Sequence, residues 1–109
     1  MKHDLIYQIK ADFLKTLAHP MRLKIIEELK SGEKSVGYLT KNLNVGQPSI
    51  SRHLIALRNA GVLISRQEKT SVYYAIADQD IFTFLRPIAL MLRKQFKSSE
   101  KVLRTLGKN

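Results

Sequence analysis

The segment LNVGQPSISRHLIALRNAG, Leu43 to Gly61, confines this chain more than any other stretch. Pro48 lacks an N–H and has a fixed φ, which suits the first turn of a helix, so Gly46 or Gln47 is the natural N-cap. Gly61 ends that helix as the residue that accepts left-handed backbone. Between them Ile50, Leu54 and Leu57 recur at i, i+4, i+7, a stripe that one helix must bury against its neighbours. At about 100° per residue, Arg52, Ile55 and Asn59 point away from that stripe, with Pro48, Ser49 and Ser51 near the N-terminal end. His53 and Arg58 lie on the flanks. Gln47, Ser49, Ser51 and Arg52 thus gather an amide, two hydroxyls and a guanidinium on one face near a helix N-terminus. This is a donor and acceptor set that reads base edges and phosphates in a major groove. Ile55 stands among them, where contact with a thymine methyl and simple exposure are both open. An ordinary amphipathic surface helix carries the same stripe, so the helix alone does not decide between the two.

Its flanks do. Ser35 is placed to cap a short helix in which Val36, Leu39 and Leu43 share a face, and Asn44-Val45-Gly46 has the length and chemistry of a helix-turn-helix corner. After Gly61, Val62 to Gln67 and Val72 to Ala77 are β-branched and aromatic runs, the second alternating Val72, Tyr74 and Ile76 with Tyr73 and Ala75. Glu68-Lys69-Thr70-Ser71 separates them. The runs predict a β-hairpin, and the lack of Asn-Gly or Asp-Gly predicts a loop of four residues or more at its tip. Arg66, Lys69, Thr70 and Ser71 are the candidates to grip a phosphate backbone there.

Leu17-Ala18-His19-Pro20-Met21-Arg22-Leu23, then QPSISRHLIALRNAGVL, then Arg66 with Val72-Tyr73-Tyr74, resemble the signature segments of the ArsR/SmtB family of winged-helix repressors. The resemblance runs from Phe13 to Asp80, with three separated segments in the same order. It implies a fold of four helices, a wing and a last helix, a homodimer, and repression of a promoter until an inducer, often a metal ion, binds. The fold class expected is mainly α with a small β-hairpin, a winged helix-turn-helix dimerising through its first and last long helices. Residues 1–109 then make one domain: 35–60 the helix-turn-helix, 62–77 the wing, 1–18 and 80–97 the dimerisation helices.

Charge points to the same partner. Nineteen Lys and Arg against nine Asp and Glu leave a net charge of +10, a field that favours a polyanion. Double-stranded DNA fits better than a membrane: the longest apolar run, Ile81 to Leu92, is interrupted by Arg86 and Pro87 and is shorter than the roughly 20 residues of a membrane span. MKHDLIYQIK has no continuous apolar core, so no signal peptide is expected and the cytoplasm is the expected compartment. The chain has no cysteine, which excludes disulfides and thiolate metal sites.

At the ends of the chain, Asp4 is a cap candidate for a first helix with Leu5, Ile6, Ile9, Phe13, Leu14 and Leu17 at helical spacing. His19-Pro20 marks a boundary, with His19 a boundary and packing residue, and a second helix should run from Pro20 to about Lys30. After the wing, Asp78 and Asp80 are cap candidates for a helix reaching about Phe96, kinked at Pro87 or beginning in earnest only after it. That helix is too apolar all round for a monomer surface. Leu5, Ile9 and Phe13 with Phe82, Leu85, Ile88 and Leu92 are therefore the expected dimer interface. Ser98 or Ser99 should cap a last short helix with Val102, Leu103 and Leu106 inward, within a basic segment that ends at Lys108.

In metal-sensing members of the resembled family, the first helix of the helix-turn-helix carries a Cys-Val-Cys-Asp-Leu-like segment. Here it reads Ser35-Val36-Gly37-Tyr38-Leu39. Others use an Asp-x-His and a His further along the last helix; here Asp78-x-Asp80 is followed by Met91 and Lys94, which cannot replace imidazole and carboxylate around Zn²⁺. His3, His19 and His53 lie in separate segments. No metal or cofactor is therefore expected, and control would come by another route, such as an organic ligand between the apolar helices near Phe82, Phe84 and Phe96, a partner protein or the level of the protein itself. No catalytic residues are found, since there is no phosphate-cradling loop, His-Glu-x-x-His or activated thiol. Two functions remain. One is a sequence-specific, homodimeric repressor of an inverted-repeat operator; the other is a non-specific architectural or RNA-binding winged helix. Ser49, Ser51 and Gln47 favour the first, since a non-specific binder would carry Lys in their place.

Overall fold

A computed structural model describes residues 2–107, and two compact units divide between Asp78 and Gln79. The first holds α1 (Lys2–Leu17), α2 (Pro20–Glu28), α3 (Val36–Leu43), α4 (Gln47–Asn59) and three strands, β1 (Lys34–Ser35), β2 (Leu63–Glu68) and β3 (Ser71–Ile76). The second is α5 (Asp80–Gly107). The chain is mainly α with a small antiparallel sheet, and α3, α4 and the β2–β3 hairpin follow one another as a helix-turn-helix and a wing.

The core of the first unit is apolar throughout. Ile25, Ile26, Leu29, Leu39, Ile50, Leu54 and Leu57 are fully buried, joined by Leu17, Val62, Leu63, Tyr74 and Ile76. Each such side chain contributes about 1.5–3 kcal/mol by leaving water. α4 owes its limits to the residues that mark them in the sequence. Gly46 is its N-cap and Pro48 lies in its first turn, while Gly61 takes φ 83°. The Val62 N–H reaches back to the Leu57 carbonyl at 2.9 Å and the Gly61 N–H to Arg58 at 3.0 Å, the two bonds that close a helix C-terminus around a left-handed residue. Asn44 does the same for α3 at φ 53°, a conformation Asn tolerates better than most side chains. Ser35 caps α3 as expected, its Oγ accepting from the Tyr38 N–H at 3.0 Å.

Several expectations are corrected. α1 begins at Lys2, so Asp4 sits in its first turn and complements the macrodipole instead of capping. α2 closes at Glu28 into a tighter turn, Leu29–Ser31. The sheet has a third strand: β1 pairs with β3 through Lys34↔Tyr74 and Ser35↔Tyr73, giving the order β1-β3-β2. The hairpin turn is tight, because Glu68 and Ser71 are directly paired and only Lys69 and Thr70 lie between them. Lys69 supplies the positive φ, 57°, that a two-residue turn requires. From Ile64 to Ser71 the hairpin is exposed on both faces.

In the second unit α5 runs without a break from Asp80 to Gly107. There is no separate helix after Ser98-Ser99, since from Ile88 to Leu106 the sequence holds neither Gly nor Pro and Ser costs an exposed helix only a few tenths of a kcal/mol. The expected inward packing of Val102, Leu103 and Leu106, and Lys108, lie outside the described residues. The helix also continues through Pro87. The missing N–H orphans the Thr83 carbonyl, and with both residues exposed water can serve it. No helix among the described residues is long and apolar enough to cross a membrane.

Candidate nucleic-acid interface

The stripe Ile50, Leu54, Leu57 turned inward fixes what α4 shows to solvent. Gln47 and Arg52 are exposed, Ser49 and Ser51 half-buried, and Ile55 is 42 % exposed. Among the described residues Arg52 makes no hydrogen bond or ion pair, so its guanidinium is free to meet a ligand. An open groove of about 400 Å³ runs beside the helix, with Gln47, Ser51 and Ile55 on one side and Thr70 and Ser71 of the wing turn on the other. The fold thus brings five of the nine DNA-binding candidates onto one concavity; Ser49, Arg52, Arg66 and Lys69 do not line it. Three hydroxyl residues that were not among the DNA-binding candidates also line it: Ser35, Thr40 and Tyr74. Thr40 Oγ1 donates to the Gly37 carbonyl at 2.8 Å, a local helix contact that uses its proton and leaves the oxygen able to accept.

Arg66 has a different setting from the one its sequence position implies. Its Nε and Nη2 donate to the two carboxylate oxygens of Glu33 at 2.8 and 2.7 Å, and Nη1 donates to Glu68 at 2.8 Å. The guanidinium also lies 4.6 Å from the Tyr73 ring centroid. The hydrogen bond from Arg66 holds the Glu33 carboxyl below the usual carboxylate range. The charge of Arg66 is therefore already matched within the protein, by a bidentate geometry that tethers β2 to the loop before β1. Lys69, at the turn, carries the exposed cation of the wing tip.

A second cluster backs α4. Arg22 Nε donates to His53 Nδ1 at 3.1 Å and its Nη1 to the Thr16 carbonyl at 3.0 Å. His19, expected as a boundary and packing residue, also caps α2 through Nδ1, which accepts from the Met21 N–H at 3.1 Å. Its ring also packs against that of His53, tilted by 50° with centroids 4.4 Å apart, a contact that the separation of the histidines along the chain conceals. Among the described residues no three His, Asp or Glu side chains come together to hold a metal.

The comparisons with known proteins agree with this geometry. Residues 19–65 match the family model described as bacterial regulatory protein, arsR family. The HTH-type transcriptional regulator Rv0081 of Mycobacterium tuberculosis (strain ATCC 25618 / H37Rv) is 35 % identical over 107 residues, 97 % of this chain and 94 % of that protein. Its crystal structure superposes with a TM-score of 0.78 over 86 % of this chain and 95 % of the other. The transcriptional repressor SdpR of Bacillus subtilis (strain 168) is 34 % identical over 62 residues, 57 % of this chain and 69 % of its own. The homodimeric winged helix-turn-helix DNA-binding domain of Mb0332 from Mycobacterium bovis matches with a TM-score of 0.74 at 26 % identity, covering 84 % of each chain.

Proposed function

The chain belongs to the arsR family of bacterial regulatory proteins, and from that premise we propose that it is a homodimeric, cytoplasmic transcriptional repressor that reads an inverted-repeat operator through α4. The observation that carries this reading is the groove in which Gln47, Ser51 and Ile55 of α4 face Thr70 and Ser71 of the wing, with the free Arg52 guanidinium on the same helix. Base edges are read by α4, with Ser49 completing its polar N-terminal face, and the wing holds backbone. Residues 35–60 act as the reading helix-turn-helix, 62–77 as the wing, and 1–18 with 80–97 as the dimerisation helices. The exposed apolar side chains support the pairing: Leu5 and Ile9 of α1 are 61 % and 59 % exposed, and Ile88 and Leu92 of α5 are exposed as well. Monomers rarely leave such faces to water. Phe13, Phe82 and Leu85, half-buried, complete the proposed contact. Two reading helices related by a two-fold axis would meet half-sites about 34 Å apart.

The test is affinity for the DNA upstream of its own gene against random duplex, at one stated salt concentration. Equal affinities would favour the non-specific binder. The same titration with Zn²⁺, Ni²⁺ or Cu⁺ is expected to be unchanged, because a ligand shifts a conformational equilibrium only by its differential affinity; the sequence holds no thiol, and among the described residues there is no clustered imidazole–carboxylate set.

Arg52→Ala is expected to weaken operator binding by about 1–3 kcal/mol and to relax preference at one base pair. A loss equal on every sequence would make Arg52 a phosphate contact. On the wing, Lys69→Gln should lower the slope of log K against log salt by roughly one unit per protomer, with the ranking of operators kept. Arg66→Gln should change the slope less, because Glu33 and Glu68 already hold that cation; an equal or larger change would return Arg66 to the backbone grip.

A further inference from the structure

We propose that His53 is a positioning residue whose neutral ring seats α4 against α2, so that mild acid switches off sequence-specific binding by this chain. The inference rests on the repressor reading above. One guanidinium, that of Arg22, joins the end of α1 at the Thr16 carbonyl to α4 at His53 Nδ1. That bond requires a lone pair on Nδ1. A proton there would turn the acceptor into a donor and set two cations 3.1 Å apart. The neighbouring imidazole offers no relief, because His19 Nδ1 is occupied by the Met21 N–H that caps α2. The charged groups acting on the His53 ring are all basic: His19, Arg22 of α2 and Arg52 of α4 itself. α1, α3 and β2 also pack on α4, but none of their carboxylates is among the groups that act on the ring.

Burial first, then His19, Arg22 and Arg52, hold His53 below the ordinary imidazole range. A base whose folded value is depressed favours the fold while neutral. Its contribution is complete above the unfolded value, near pH 6.5, and is lost as pH falls through the lower folded value. In DNA binding two effects then part. The added proton increases general attraction to phosphate, while loosened seating of α4 removes readout, so the ratio of specific to non-specific affinity falls.

The experiment is that ratio for the full chain, upstream DNA against random duplex, from pH 7.5 to 5.5 at fixed ionic strength. Wild type should lose up to about tenfold per pH unit per protomer below the His53 midpoint. His53→Asn keeps an acceptor for Arg22, in place of Nδ1, but does not titrate; it should hold the pH 7.5 ratio flat across the range. NMR titration of the wild-type His53 ring should give a midpoint below about 6.5, with loss of the His19–His53 contact on the acid side. A flat or rising wild-type ratio, a parallel fall in His53→Asn, or a ring midpoint at or above that value would overturn the proposal. If His53→Asn fails to fold, the wild-type profile and the ring titration decide. Absence of any preference at pH 7.5 would overturn the repressor reading instead, and the ring titration would still show whether acid unseats α4.

Discussion

Replacing Ile9 or Ile88 with Glu is expected to give a folded monomer whose operator affinity has fallen by about 10²–10⁴-fold. Both side chains are exposed in the single chain, at 59 % and 38 %, so the subunit loses little when either becomes polar. In a two-fold dimer the same change places two carboxylates in an apolar contact, and each must be desolvated without a partner. The loss of affinity is the loss of linkage: two reading heads held together bind far more tightly than one, by factors of roughly 10² to 10⁴. Sedimentation velocity at micromolar concentration and a binding titration on the same samples measure the two halves. Ile9→Gln and Ile88→Gln separate the effect of polarity from that of the added negative charge. Dimers of full affinity in all four variants would place the subunit contact elsewhere.

Leu54→Ala should be the most damaging single truncation on α4, costing about 2–5 kcal/mol. Leu54 is fully buried, at the middle of the stripe between Ile50 and Leu57, and the helix carrying it packs on α1, α2, α3 and β2. With so many fixed neighbours the cavity cannot collapse cheaply. A domain of this size has about 5–15 kcal/mol to lose in total. Urea unfolding should show a lower midpoint at an unchanged slope. A loss below about 1 kcal/mol would mean that α4 relaxes into the space, and that its seating is looser than its burial implies.

What the sequence discloses about this protein is local, and what it conceals is tertiary. α4 is legible to within one residue, its N-cap left between Gly46 and Gln47, because Pro48, Gly46 and Gly61 act within one turn of themselves. Ser35 announced its cap for the same reason, whereas His19 showed only the helix boundary and its cap on Met21 came from the structure. The strand Lys34–Ser35 carried no such sign: two residues hold no periodicity, and only pairing with Tyr73 and Tyr74 defines them. The tip of the wing was misread because Lys69 adopts a positive φ that Gly or Asn would have advertised. α5 was cut short at Ser98-Ser99, where two good capping residues happen to lie inside a helix that nothing else interrupts. At the candidate interface, the sequence placed Gln47, Ser51 and Ile55 on one face, and the fold added Thr70 and Ser71 across the groove. The partners of Arg66 and His53 were out of reach. Glu33 lies 33 residues from Arg66, and Arg22 lies 31 from His53, so no pattern of spacing connects them.

Ser35 ends β1 beside Tyr73 and begins α3 by accepting the Tyr38 N–H. One residue is thus hinged to the wing on one side and to the helix-turn-helix on the other, with neither slack nor a linker between. Through these bonds a displacement of the hairpin would be passed to the entrance of α3 and, through the corner at Asn44, to α4. The two prongs work as a fixed-gauge caliper. If α4 and the wing grip DNA as proposed, a duplex whose grooves are out of phase with that gauge should be resisted even where every base in the major groove is correct, which would put part of the discrimination in the spacing of the two prongs, beyond the reach of any one side chain.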